Sequence, residues 1–445
     1  MGISKAIWHP TRVVPLAFLA AIAVGTALLS LPVARAGPGG APLLVALFTA
    51  TSAVCVTGLS VVDTGSYWSG FGQAIILLLV QAGGLGIMTA ATLLGLLISN
   101  RLRLGQRLLA QAETRTTALG DVGETLTLVL LVTFAVQSAV ALFLWVRLWW
   151  GYGLSPGEAG WEALFHAVMA FNNAGFGLFS DNVTRYALDA WVLLPLMAAV
   201  VIGGVGFPVL YELKRELTRP SCWSLHTKLT LLGTAILIPA GALMVLAFEW
   251  WNAGTIGEMS PGAKVLNAFF HSVVSRTAGF NAIDIGAMRP ETLLATSGLM
   301  MIGGGSAGTA GGIKVTTFLI LGLVVLAEIQ GERDAASFRR RVSGETQRLA
   351  LTVVLLSIGV VSAATLALLS MTTFDLSRVL FEVVSAFATV GLSTGITAQL
   401  PPGGQLLLVA LMFAGRVGTV TLAAALALHA RQRPYRFPEE RPIIG

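Results

Sequence analysis

The chain has 445 residues, of which 55% are hydrophobic and 11% charged, at a mean hydropathy of +0.80 and a net charge of +6. Soluble domains carry roughly a quarter charged residues. A soluble protein of this length would lack the polar surface it needs, so the composition implies an integral membrane protein. The 50 glycines, about 11% against a usual ~7%, point to close helix contacts or interrupted helices.

Apolar runs long enough for ~30 Å of hydrocarbon occur at 13–34, 71–98, 126–150, 190–211, 228–251, 293–326, 349–371 and 404–430. The first mimics a signal peptide, with Lys5 and Arg12 before it and Ala34-Arg35-Ala36 after it. Its length and its place in the later pattern make it a span. Four shorter apolar segments, at 42–57, 161–174, 264–278 and 378–390, are too short to cross as helices and read as re-entrant or buried helices.

Lys and Arg set the orientation. The loops 99–125, 211–228 and 327–348 and both termini hold 19 of the 28 basic residues. The clusters are Arg101, Arg103, Arg107 and Arg115; Arg339, Arg340 and Arg341; and Arg431, Arg433 and Arg436. Both termini are therefore expected in the cytoplasm. The opposite face is net acidic, with Asp63, Asp181, Asp284, Asp375 and Glu382 among its acids. Such a mouth concentrates cations, although these acids also read as ordinary solvated loop charges. Cys55 and Cys222 fall on opposite sides and form no disulfide framework.

The short segments repeat. Aligned on Gly58, Gly175, Gly279 and Gly391, each has a phenylalanine ten residues earlier, at Phe48, Phe165, Phe269 and Phe381. The strings are Val56-Thr57-Gly58-Leu59, Asn173-Ala174-Gly175-Phe176, Thr277-Ala278-Gly279-Phe280 and Thr389-Val390-Gly391-Leu392. The expected fold is an all-α integral membrane protein of four tandem repeats, at 1–98, 99–217, 218–330 and 331–445. Each repeat is an outer helix, a pore helix, a filter loop and an inner helix, giving eight transmembrane and four re-entrant helices around a pseudo-fourfold pore. Irregular backbone at membrane depth is tolerated where it lines a watery cavity, and rings of carbonyls can replace the hydration shell of K+.

These loops resemble the degenerate potassium filters of the Ktr/Trk/HKT superfamily, and nearly the whole chain takes part in the likeness. The length and the immediate start of the first repeat are similar to the Ktr membrane subunit; the extra N-terminal helix pair usual in Trk subunits is absent. The resemblance implies K+ as transported ion and a selectivity filter at Val56, Thr57, Gly58, Asn173, Ala174, Gly175, Thr277, Ala278, Gly279, Thr389, Val390 and Gly391. Glycine rather than serine at position 58 argues against a sodium-preferring member. Sodium activation is common in the family, and no organic cofactor is expected on this chain. The implied assembly is a homodimer in the lipid bilayer on a cytoplasmic ring of RCK-type nucleotide-binding subunits.

The inner helices carry Gly83-Gly84-Leu85-Gly86, Gly203-Gly204-Val205-Gly206, Gly303-Gly304-Gly305 and Gly415-Arg416-Val417-Gly418. They read as hinges or as small-residue helix contacts. The run Gly303-Gly304-Gly305-Ser306-Ala307-Gly308-Thr309-Ala310-Gly311-Gly312 cannot be uniformly helical. The resemblance assigns an intramembrane gate to Gly303 through Lys314. Gly303-x-Gly305-x-x-Gly308, with Glu328 beyond, matches a dinucleotide fingerprint but lacks a βαβ unit. Arg416, a permanent cation in an apolar helix, is a functional residue by default, expected to face the axis and pair with gate-loop carbonyls. Arg276 is expected to brace the third filter loop or to form an ion pair. His166 and His271 read as packing residues, and Asn173 is favoured over Asn172 and Asn281 as a filter-side amide. Trp149, Trp150, Trp250 and Trp251 read as interfacial anchors. A secondary transporter with alternating access is the rival reading; it commonly uses inverted repeats, whereas these share one orientation. No metal cluster or nucleophile arrangement supports an enzyme.

Overall fold

The computed structural model describes residues 10–86 and 122–428. The clusters Arg101, Arg103, Arg107 and Arg115, and Arg431, Arg433 and Arg436, lie outside the described residues, as does the end of the expected span 71–98. The chain opens with α1 (Pro10–Leu29), α2 (Leu43–Val54), the single turn α3 (Thr64–Tyr67) and α4 (Gly70–Leu85). Next come α5 (Val122–Tyr152), α6 (Pro156–Asn172), α7 (Ala190–Val205) and α8 (Phe207–Glu216). They are followed by α9 (Leu225–Glu249), α10 (Pro261–Val274), α11 (Pro290–Met301) and α12 (Val315–Gln330). A small hairpin, β1 (Ala336–Ser337) and β2 (Arg340–Arg341), leads to α13 (Gly344–Met371), α14 (Leu376–Phe387) and α15 (Pro402–Leu428).

Among the described residues, three helical segments are long and apolar enough to cross a bilayer alone: Leu126–Tyr152, Leu225–Glu249 and Gly344–Met371. Their large outward-facing apolar side chains, such as Leu142, Leu243 and Leu366, are what a lipid-facing surface requires. The protein is a multi-pass membrane protein.

Two expected spans are interrupted. The run 190–211 is not one helix but bends by 95° between α7 and α8. Gly206 takes φ 101°, open to glycine and strained for other residues. Pro208 stands in the first turn of α8, where its missing N–H costs nothing. The run 293–326 likewise stops at Met301 and resumes at Val315.

Local signals set the start of the short helices. Ser155 and Glu158 form a capping box on α6, followed by Pro156; Pro261 opens α10. The Ser155 box satisfies orphan N–H groups of its helix start, while proline at the first position of α10 has no N–H to satisfy. The packing is cyclic. α4 lies against α6, α7 against α10, α11 against α14, and α15 returns against α2 and α1. Phe48, Phe165 and Phe381, on α2, α6 and α14, are fully buried, the first and last in one apolar cluster and Phe165 in a second.

The third short helix departs from the expected register. Phe270 is fully buried while Phe269 is only partly so. The helix ends at Val274, and both Ala278 and Gly279 donate to its carbonyl, at 2.9 and 3.1 Å. The buried phenylalanine thus stands nine residues before Gly279 instead of ten, one residue fewer than in the other three segments, a shift that a fixed ten-residue spacing misses.

Candidate functional site

Each short helix runs into an extended strand-like loop through a residue with left-handed backbone. These are Val56 (φ 57°), Asn173 (φ 59°), Thr277 (φ 104°) and Thr389 (φ 52°), all two residues before the aligned glycine. Three of them are β-branched, for which positive φ is a genuine outlier. Such strain costs of order 1–3 kcal/mol per residue and collects at functional sites. Two residues on, Gly58, Gly279 and Gly391 again have positive φ, at 92°, 72° and 98°, while Gly175 does not.

The four glycines touch in a closed cycle. A Cβ at Gly58 would come within 3.0 Å of Gly175, and one at Gly175 would meet Gly279. One at Gly279 would meet Val390 and Gly391, and one at Gly391 would meet Thr57. All these contacts are to backbone. All four glycines border one cavity of about 360 Å³, whose wall also includes Asp63, Asn281 and Ser393.

Polar groups fix the loops from behind. The Ser52 and Ser385 hydroxyls accept the N–H of Gly58 and Gly391, each at 3.1 Å. Asn173 Nδ2, correctly oriented, donates to the Ala170 and Val200 carbonyls, while its Oδ1 accepts from the Thr277 hydroxyl at 3.1 Å. The second and third loops are thus tied together. Asn172 instead donates to Gln81 on α4, at 2.9 Å. Asn182 donates to the Gly175 carbonyl at 2.9 Å. The buried Glu382 carboxylate accepts from the Ser393 hydroxyl (2.5 Å), the Thr394 N–H (2.9 Å) and the Thr397 hydroxyl (2.8 Å).

Sequence reasoning passed over the roles of Ser52, Ser385, Asn182 and Glu382. For the serines a signal existed, since both stand six residues before an aligned glycine. We expect Glu382→Gln to turn an acceptor into a donor facing donors, lowering stability by about 1–3 kcal/mol. A melting temperature matching that of the surface control Glu345→Gln would contradict this.

On the inner side, the first glycine of three inner-helix motifs allows a close approach. Gly83, Gly203 and Gly415 lie over the terminal carbonyls of their own short helices, at Val54, Phe171 and Phe387, with no room for a Cβ. Both readings of these motifs have a place. The leading glycine serves contact, whereas Gly86 (φ 82°) and Gly206 end their helices.

The stretch Gly303–Lys314 crosses beneath the glycine ring. Its N–H groups at Gly305 and Thr309 donate to the Gly204 and Gly203 carbonyls, at 2.8 and 3.3 Å. Gly311 and Gly312 lie under Ala388 and Thr389 of the fourth loop. Gly303 N–H donates to the Ile313 carbonyl at 2.8 Å, closing the stretch at its base. Lys314 donates to the Ala310 carbonyl at 2.5 Å. The remaining members, Gly304, Ser306, Ala307 and Gly308, rest on the end of α7 and on Gly206.

Arg416 reaches into this layer from α15. It donates to the Thr309 carbonyl and, at 2.8 Å, to the Gly83 carbonyl at the end of α4. A single guanidinium thus joins three parts of the chain by charge-assisted bonds. Arg276 is 7% exposed and reaches Gly303, at 3.4 Å, rather than a filter carbonyl. Among the described residues it forms no ion pair. His166 Nδ1 donates to the Glu162 carbonyl (2.8 Å) and its ring stacks on Phe179; His271 meets Thr296 at 3.1 Å.

With this geometry in hand, the relatives are informative. The cation transport protein family TrkH matches residues 24–433. Ktr system potassium uptake protein B of Bacillus subtilis (strain 168) is 38% identical, over 98% of this chain and 97% of that protein. The protein of the same name from Vibrio alginolyticus is 36% identical, over 99% and 96%. Potassium/sodium uptake protein NtpJ of Enterococcus hirae is 33% identical, over 98% and 97%. The crystal structure of the potassium transporter TrkH from Vibrio parahaemolyticus has the same fold, with a TM-score of 0.67 at 17% identity. It covers 93% of this chain and 84% of that one. The chain belongs to the TrkH/Ktr family of cation transport proteins.

Proposed function

We propose that this chain is the ion-conducting subunit of a potassium uptake system, with K+ passing along the axis of the four glycine loops. The closed contact of Gly58, Gly175, Gly279 and Gly391 around one cavity carries this reading. Four loops of different sequence have no packing reason to converge backbone to backbone at glycine. A path that needs carbonyls at the axis supplies one.

In this reading the four repeats are 1–98, 99–217, 218–330 and 331–445, and their loops at 56–58, 173–175, 277–279 and 389–391 form the filter. Alternation of left-handed and ordinary backbone turns successive carbonyls the same way. The short helices direct their C-terminal dipole ends toward the centre, which favours a cation there. Below the filter, Gly303–Lys314 obstructs the path and Arg416 pins it. Potassium as the carried ion rests on the names of the Bacillus and Vibrio relatives. The Enterococcus relative, named for both ions, favours a second reading in which sodium is also carried or activates uptake.

The chain works in a bacterial plasma membrane with cytoplasmic termini, as a homodimer on an RCK-type nucleotide-binding ring. The basic loops 99–125, 211–228 and 327–348 fit a docking face for that ring. Expression in a potassium-uptake-deficient bacterium should restore growth at low potassium when such a partner is supplied. Failure to rescue with any partner, in cells that make the protein, would sink the potassium reading.

A further inference from the structure

We infer that a second cavity, away from the axial path, binds a phosphate-bearing anion. It measures about 510 Å³ and lies between the start of α9, the Ser306–Lys314 stretch, α12 and the start of α13. None of its lining residues belongs to the four loops or to α4, α7 or α15.

Its chemistry has one sign. Three helix starts line it, those of α9, α12 and α13; Ser224 caps the first and Ser343 the third, and the start of α12 has no side-chain cap. The residue at the start of α12 is Lys314, with no side-chain acceptor at the cap. A cation at the positive end of a helix is electrostatically unfavourable. Among the described residues, the N–H groups of Thr316 and Thr317 have no acceptor. Ser306 is 5% and Thr316 7% exposed, both line the cavity, and among the described residues neither hydroxyl has a partner. Buried polar groups of this kind call for a ligand that accepts hydrogen bonds.

Arg341 completes the site at the rim. No Asp or Glu lines the cavity. Asp334 pairs with Arg341 at 3.4 Å, so an occupant shares that guanidinium with an exposed carboxylate; Glu212 accepts the Ser224 N–H at 2.6 Å at the start of α9, and Glu345 in the first turn of α13 is exposed and does not line the cavity. A tetrahedral phosphate offers several acceptor oxygens at once and suits helix N-termini. The volume accommodates either free phosphate or the phosphate of a lipid headgroup. Because Ser306 and Lys314 belong to the stretch beneath the ring, an occupant would touch that stretch directly.

The test uses the full chain, stripped of lipid in a maltoside detergent that carries no phosphate. One arm adds radiolabelled inorganic phosphate, and the other adds phosphatidylglycerol in mixed micelles, read by native mass spectrometry. We expect saturable binding of one molecule per chain in at least one arm. Thr316→Val and Arg341→Ala should each weaken it about fivefold, the scale of one lost hydrogen bond, while Arg215→Ala should not. Arg341 is exposed, so its replacement leaves the interior intact. Binding only in the lipid arm identifies a headgroup, and binding only in the phosphate arm a soluble anion. No saturable binding in either arm, or binding that survives both substitutions, overturns the proposal.

Discussion

Replacing Gly391 with serine should lower the K+/Na+ permeability ratio at least about tenfold, a change of about 1.4 kcal/mol. Gly391 has φ 98°, and its missing Cβ faces the Thr57 carbonyl and the Gly58 Cα of the first loop. A side chain there must displace backbone rather than rotate a neighbour. The displaced group is itself a proposed ligand, so coordination suffers directly. Gly279→Ser attacks the same ring from the third loop, where Val390 and Gly391 are in the way. Reversal potentials in mixed potassium and sodium read the ratio. If discrimination survives both substitutions, the filter assignment is wrong.

Loss of Arg416 should have the opposite sign on conduction. Arg416→Ala removes the bonds to Thr309 and Gly83 and a permanent charge near the axis. Hydrogen bonds to charged groups contribute about 1.5–3 kcal/mol each. Releasing two of them frees the Gly303–Lys314 stretch from α4 and α15. Potassium flux should rise roughly tenfold, as one such bond implies. Arg416→Lys should also raise it, because an ammonium cannot span two carbonyls as a planar guanidinium does. Unchanged or lower flux in a normally expressed Arg416→Ala protein would count against a barrier role.

Much of this arrangement was legible because the loops repeat. Glycine alignment set the four loops in one register, but no residue preference placed left-handed backbone at Val56 or Thr389, two residues earlier. The Gly303–Gly312 run and the lone Arg416 were conspicuous because each conflicts with a helix in an apolar setting. What stayed hidden depends on long-range geometry. Asn182 lies outside every repeated motif, yet it reaches the Gly175 carbonyl. Glu382 looked like an outer-face acid, yet it is buried behind the fourth loop. The bend at Gly206 was masked by continuous hydrophobicity on both sides, and the shift to Phe270 by two adjacent phenylalanines. The sequence offers Arg276 either a filter-loop carbonyl or an ion pair, whereas its bond goes to Gly303 across the fold.

The central claim is that potassium passes through the cavity bounded by the four glycines. Ser60 lies in its wall, two residues past Gly58, and Ser60→Cys is nearly isosteric. Cys55 is buried and Cys222 exposed, so a Cys222→Ser background leaves one accessible thiol among the described residues. A positively charged thiol reagent added outside should then cut potassium uptake at least about tenfold, since a fixed cation in a narrow mouth repels the permeating one. Uptake that continues unchanged after complete labelling of Ser60→Cys would contradict an axial path through this ring.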